Sequence, residues 1–495
     1  MVRPRHQAES TTDRPPAGAG GEGMDGAETP TRPLPRAARG SEQQGRPTVA
    51  RLFGSDDFFR LWLAQVVSAL GDWLGFVAIV AVATRIGGDS PAAAISVVMS
   101  ARLVPGFFLA PVAGVLVDRW DRKRVMVACD VLRGLVLASV PFLETVLGLV
   151  VVSLLLEVAT LLWSPAKEAS VPNLVPASHL TTANSLSMVA AYGTFPVASL
   201  VFAVLAKAAE GLASFDALSA LRINQESVAI YVDVLTFLLS AVMISTVTLR
   251  QARPSSEGQG SVRANFGRTF RELGEGWHFM FSNPVVRAVL VAVGTGLVGG
   301  GMLVPLGDVF SRQVLGGGSA GFGLLLTAMG TGMAAGVVAL SGLQRRLPKE
   351  GVFCGAVIGA GIALGLGAAT SSLTPALASV FVLGVCAGGV YVLGFTILHE
   401  RVADELRGRI FSSLYTLVRF CLLLAFAVGP LLADRLDALS AGLVGRELGL
   451  DGATVFLPGV RLALWSAALI ILAAGALAVL SLRLARDRRP VAQPG

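Results

Sequence analysis

A chain of 495 residues that is 53% hydrophobic, 15% charged and of mean hydropathy +0.68 lies outside the balance of soluble domains, which are about 45–50% apolar and about 25% charged. The net charge of +7 and pI of about 9.7 would suit a nucleic-acid partner. The basic residues, however, fall in connections on alternate sides of apolar segments, which reads as membrane topology and not as a basic patch.

Residues 1–57 are rich in Pro, Gly, Arg, Glu and Ser, as in "TTDRPPAGAGGEGMDGAETPTRPLPRAARG". Such a segment cannot bury enough surface to fold alone, and a disordered cytoplasmic tail is expected. No short apolar core with a cleavage site follows its basic residues closely, so it is not a signal peptide. Apolar stretches then recur at 58–84, 92–117, 125–146, 147–166, 183–207, 228–249, 285–310, 320–343, 351–370, 374–398, 410–433 and 460–482. Each is long enough to cross a bilayer, and each must be a helix, because the backbone there finds no water.

The expected fold is therefore an all-α membrane protein with twelve transmembrane helices in two six-helix repeats. The halves would span 58–249 and 284–483, joined by a polar linker, 250–283, and followed by a short cytoplasmic tail, 484–495. Phe266, Phe270, Leu273 and Trp277 recur at helical spacing in that linker, either as an amphipathic surface helix or as a bland connection with one helical turn. About twenty Lys and Arg lie in the even-numbered connections and C-terminal tail, against about six in the odd-numbered ones, which places both ends in the cytoplasm. Four lysines against thirty-six arginines, with abundant Ala and Gly, suggest a GC-rich bacterial genome, and hence a bacterial plasma membrane.

Four charges fall deep inside apolar stretches: Asp72 in helix one, Arg102 in helix two, Glu157 in helix four and Arg419 in helix eleven. A charge at the bilayer centre costs about 2.5–3.5 kcal/mol on insertion scales, so these residues should face an internal cavity. Helical spacing groups Gln65 and Ser68 with Asp72, Ser153 and Thr160 with Glu157, and Tyr415 with Arg419. Tyr192 and Tyr391 are further candidates to line a substrate cavity. Either Asp72 or Glu157 exchanges a proton, with Arg102 and Arg419 as counter-charges, or the four form static pairs that fix helix packing. Helix six carries a further stripe, Asp233, Thr236 and Ser240, which meets either the cavity or a neighbouring helix. Small-xxx-small spacings at Gly332/Gly336, Gly355/Gly359 and Gly384/Gly388 would permit the close contacts that a rocking motion needs, or serve plain packing.

Nothing here reads as an enzyme. No lysine follows a glycine, so there is no Walker A cradle. "GGSAG" (317–321) lies in a polar turn with no strand before it, and "HERVA" (399–403) lacks the second histidine of a zinc-protease motif. His6, His179 and His278 are dispersed, and Cys129, Cys354, Cys386 and Cys421 lie inside apolar helices without CxxC spacing. No metal or cofactor is implied.

The loop "GVLVDRWDRKR" (114–124) between helices two and three resembles the G-x-x-x-D-R-x-G-R-[RK]-[RK] loop of the major facilitator superfamily, through Gly114, Asp118, Arg119, Arg122, Lys123 and Arg124. Asp121 stands where the general pattern has glycine, which is similar to the macrolide-efflux-like and enterobactin-exporter-like branch. "FFRLWLAQVVSALGDWL" (58–74), "SPAKEASVPNLVPASHLTTANSL" (164–186) and "DELRGRIFSSL" (404–414) carry the same likeness. The resemblance implies that the loop is a cytoplasmic latch, with Asp118 as a helix N-cap or ion-pair partner. Asp130, with Arg133 beside it, would be the latch partner of Arg122. Exporters of the superfamily often carry a glycine-rich G-P segment in helix five; "YGTFPVASL" (192–200) keeps Pro196 but has Phe195 and Ser199 at glycine-like positions.

The function so implied is proton-coupled, alternating-access efflux of a hydrophobic or amphiphilic small molecule, such as a drug, macrolide-like compound or siderophore, by a monomer with no nucleic-acid partner. Uptake or lipid flipping by the same fold is the alternative, and a non-transporting membrane sensor or scaffold a more remote one.

Overall fold

The computed structural model describes residues 52–88, 90–212, 224–249, 284–343, 347–401, 404–450 and 453–487. Most of the expected amino-terminal tail, the 250–283 linker with its proposed amphipathic helix and the last eight residues lie outside the described residues.

Fourteen α-helices are described. The first half holds α1 (Asp56–Ile86), α2 (Pro91–Arg119), α3 (Arg122–Ala138), α4 (Val146–Leu174), α5 (Leu180–Tyr192), α6 (Phe195–Leu212) and α7 (Ser227–Thr246). The second holds α8 (Pro284–Gly301), α9 (Leu303–Gln313), α10 (Gly318–Leu343), α11 (Lys349–Ala369), α12 (Leu373–Arg401), α13 (Asp404–Val444) and α14 (Gly459–Asp487). They form twelve segments long and apolar enough to cross a membrane, since α5 with α6 and α8 with α9 each make one span. Leu147, Val338 and Leu469, at 73%, 73% and 66% exposure, face outward, as a lipid-bathed surface requires.

Local chemistry sets the helix starts. The Ser55 hydroxyl accepts the Phe58 N–H at 3.0 Å, with Asp56 and Asp57 in the first turn of α1, and Thr145 caps α4 through the Gly148 N–H at 3.2 Å. These groups satisfy amide donors that have no helical partner. The break between α5 and α6 falls at Gly193–Thr194, with Pro196 second in α6, a position where the missing N–H costs nothing. The α4 helix runs on to Leu174 through Pro165 and Pro172, well past the expected end at residue 166. Neighbouring helices can support such prolines inside a bundle.

One element was not expected. An antiparallel hairpin, β1 (Glu447–Leu450) and β2 (Ala453–Phe456), pairs Glu447 with Phe456 and Leu450 with Ala453. It sits between α13 and α14, where the sequence Asp451–Gly452 is a strong two-residue turn signal. Around it the Asp437 carboxylate accepts from Arg446 at 2.7 Å and from the Gly459 N–H at 2.9 Å.

We call the face where α1 begins the near face, and the one where it ends the far face. The described ties between the halves gather in the far-face part. There Ser96 of α2 donates to the Ala427 carbonyl of α13 at 2.8 Å, and the Phe76 and Phe426 rings lie 6.5 Å apart. Gly323 of α10 abuts Ser199 and Ala203 of α6, and Gly330 abuts Phe195 and Pro196. Two of the three glycine pairs noted in the sequence serve packing within the second half: Gly332 and Gly336 meet the backbone of Phe381 and Val385, while Gly384 and Gly388 meet that of Met329 and Met333. They weld α10 to α12 inside the second half, so the seam between halves uses Gly323 and Gly330 instead.

Candidate functional site: a charged cavity beside the seam

A cavity of about 670 Å³ extends from mid-depth toward the near face. Its described lining comes from α1 (Gln65, Ser68, Asp72, Trp73, Phe76), α2 (Arg102), α3 (Arg133), α4 (Thr160 to Val171) and α5 (Asn184 to Tyr192). Helical spacing builds the wall: Gln65, Ser68, Asp72 and Phe76 follow one stripe of α1, as Thr160, Trp163, Lys167 and Val171 do on α4.

The floor of the cavity is an ion cluster. Arg133, 1% exposed, pairs with Asp130 one turn back on α3 and with Asp72 of α1 at 3.2 Å. Its guanidinium also lies over the Phe237 ring at 4.3 Å and the Trp163 ring at 5.3 Å. The second oxygen of Asp130 accepts from the Ser240 hydroxyl of α7 at 2.8 Å. Two carboxylates thus share one guanidinium, and α1, α3 and α7 are bound together at that point. The helix-six stripe meets a neighbouring helix: Asp233, accepting from Thr236 at 3.1 Å, fills a notch on α1 opposite Gly71 and Gly75. A Cβ on either glycine would strike its carboxylate.

Glu157 stands apart. It lies in the field of Arg102 from its own half and of Arg419 from the other, and Gly106 is the gap between them: a Cβ there would sit 3.6 Å from Arg419 Nη1 and 3.9 Å from Glu157 Oε1. Arg102 also lies 5.5 Å from the Phe76 ring centroid.

Several expected placements are corrected. Asp72 has Arg133 as its direct partner, not Arg102 or Arg419. Asp130 and Arg133 belong to this buried cluster and not to the loop at 114–124; Arg122 instead donates to the Ala169 carbonyl at the end of α4, at 2.7 Å. The N-cap of α3 is Asp121, which accepts the Arg124 N–H at 3.0 Å, whereas Asp118 precedes the end of α2 and its side chain lies outside the described ones. Gly114 sits within α2, and Arg119, Lys123 and Arg124 flank the turn at the near face.

Gln65 is spent on structure, donating to the Ser187 carbonyl at 3.0 Å; Trp62 and Trp73 likewise donate to the Leu186 and Ala191 carbonyls, at 2.9 and 2.8 Å. Thr160 lines the cavity, with its hydroxyl bound to the Leu156 carbonyl at 3.0 Å. Tyr192 is on the rim, 66% exposed. Ser153 is buried one turn from Glu157 and is not among the described lining. Tyr391 lies with its ring 4.6 Å from that of Phe395 and tilted 40° to it, in the second half, and is likewise not among that lining. The Tyr415 side chain lies outside the described ones. Lys167 was missed because the fourth apolar stretch ends at residue 166; its place one turn beyond Trp163 was the available signal.

A second network closes the far face. Glu226, 2% exposed at the start of α7, accepts from Arg312 of α9 at 2.8 Å, and Arg85 at the end of α1 lies 3.7 Å away. Arg312 also bonds Asp308 at 2.8 Å and Ser319 of α10. Both halves contribute charges to this one cluster.

A twelve-span bundle in two halves, tied at one face and holding a charged cavity toward the other, defines a membrane transporter of the major facilitator type. The model of one family of that superfamily, described as transmembrane secretion effector, matches residues 51–486. The chain belongs to that family. It is similar to the uncharacterised MFS-type transporter YfiS of Bacillus subtilis, 24% identical over 78% of this chain and 88% of that one. Macrolide efflux protein A of Streptococcus pyogenes is 25% identical over 77% and 90%, and the multidrug efflux pump Tap of Mycobacterium tuberculosis 25% over 75% and 84%. Among solved structures, a bacterial homologue of the lysosomal transporter Spinster, inward-facing and unoccupied, superposes with a TM-score of 0.66 at 14% identity, covering 88% of this chain and 99% of that one. The nucleoside transporter NupG gives 0.64 at 11%, covering 86% and 99%.

Proposed function

We propose that the chain exports a hydrophobic or amphiphilic small molecule in exchange for protons, by rocking its two halves against one another, with the charged cavity of the first half as the substrate site. In this reading the near face, with its excess of basic connections, is cytoplasmic in a bacterial plasma membrane, and the monomer is the working unit. The efflux proteins among its relatives support the direction.

The observation that carries the coupling is Glu157 between one arginine of each half. With the far face closed, Arg102 and Arg419 both lie near the carboxylate and favour its charged form. Opening the far face parts α2 from α13 and withdraws Arg419. A proton from outside then takes the place of the lost charge, and is expelled when the halves close again. One charge moved across 100 mV supplies about 2.3 kcal/mol. Asp72, already held by Arg133, has the secondary role of keeping that arginine oriented into the cavity.

The test is accumulation of substrate in everted vesicles under an imposed pH gradient. Glu157→Gln should abolish gradient-driven accumulation while leaving downhill exchange, and Asp72→Asn should weaken both. If both variants accumulate substrate as wild type does, proton coupling through these carboxylates is wrong.

A further inference from the structure

Four polar groups that line the near-face part of the cavity have no protein partner among the described residues. Trp163 Nε1, Ser68 Oγ and Ser187 Oγ are buried and make no hydrogen bond. Lys167, 8% exposed, has no carboxylate within ion-pair distance among the described residues, and its neighbour Glu168 is exposed. Buried donors in native proteins are almost always satisfied, and a buried, unpaired ammonium is costly. These four therefore read as sites kept for a ligand.

The sign of that ligand follows from the charges around it. Arg133 is answered by two carboxylates, Asp72 and Asp130, so its positive charge is not free for a ligand. Among the described residues of this part, the cation without a carboxylate at ion-pair distance is Lys167, with exposed Glu168 also in the lining; Arg102 lies deeper, in the field of Glu157, and rests on Phe76. An ammonium and an indole N–H can only donate, and the two serine hydroxyls can turn to donate as well. Beside them, Trp73, Phe76 and Tyr192 give an aromatic wall.

We propose that this part of the cavity is a subsite for an anionic group, such as a carboxylate, on an otherwise apolar, aromatic substrate, held by Lys167 with Trp163, Ser68 and Ser187. The proposal rests on the reading of the cavity as the substrate site and narrows the substrate class within it.

Equilibrium dialysis with the full chain in lipid nanodiscs tests it, using three probes that share one ring: 2-naphthylacetate, its neutral amide and 2-naphthylmethylammonium, each corrected for empty discs. The acetate should bind about tenfold more tightly than the ammonium, as a charge-assisted hydrogen bond allows. Lys167→Met should remove that advantage by weakening the acetate far more than the amide, and a melting temperature like that of wild type shows that the variant folds; Lys167→Arg should retain it. Ammonium binding as tight as that of the acetate, or acetate binding indifferent to Lys167→Met, overturns the anionic assignment and leaves the transport reading standing. Failure of all three probes to bind wild type overturns both the subsite and the cavity as substrate site.

Discussion

Replacing Arg133 by methionine would leave Asp130 sealed at 0% exposure with only Ser240 to answer it. Removing one partner of a buried ion pair costs about 3–5 kcal/mol, so Arg133→Met should lower the melting temperature in nanodiscs sharply. Adding Asp130→Asn should recover part of the loss, because the uncompensated charge goes with it. A single variant that melts like wild type would show that the cluster does not hold α1, α3 and α7 together. Lysine should rescue poorly, since a point ammonium cannot serve Asp72, Asp130 and two aromatic faces at once. At this scale the sequence was a partial guide. That Asp72 and Glu157 were internal followed from the cost of burying them, but their partners did not: Arg133 lies 61 residues from Asp72, and only the packing of α1 and α3 on the same helix, α7, brings them together.

The elements were more legible than the contacts. Each span has its own hydropathy, so twelve expected stretches correspond to twelve observed ones, whereas pairings between spans depend on which faces meet. Gly332 and Gly384 illustrate the difference: their spacing announced close packing, but only the fold shows that each faces the other's helix within one half. Helix ends were less legible: α4 continues through Pro165 and Pro172 past the expected end at 166, which is how Lys167 fell just outside the expected span. The far-face cluster was invisible in sequence for a similar reason, since Arg85, Glu226 and Arg312 each look like an ordinary charge at a membrane edge. In the proposed cycle their meeting at the joint of α1, α7 and α9 is a lock that parts before the far face opens. Glu226→Gln should weaken it and raise labelling of a far-face Ala320→Cys by a membrane-impermeant maleimide, by roughly tenfold. Unchanged labelling would mean that the helix contacts alone hold that face shut.

For the whole molecule, rocking requires that contacts at the far-face seam break in every cycle. The seam is narrow where α6 meets α10: a Cβ on Gly323 would stand 3.0 Å from that of Ala203, close to the separation a disulfide needs once the chains ease apart by several tenths of an ångström. The pair Ala203→Cys with Gly323→Cys, in a background lacking Cys129, Cys354, Cys386 and Cys421, should therefore cross-link on mild oxidation. Oxidised protein should lose transport, because α6 and α10 can no longer separate. It should still bind substrate added from the near face, because the cavity opens there, and reduction should restore transport. A merely damaged protein would lose binding as well and gain nothing from reductant. Full transport by cross-linked protein would exclude rocking about this seam and require the substrate to leave by a path that keeps α6 on α10.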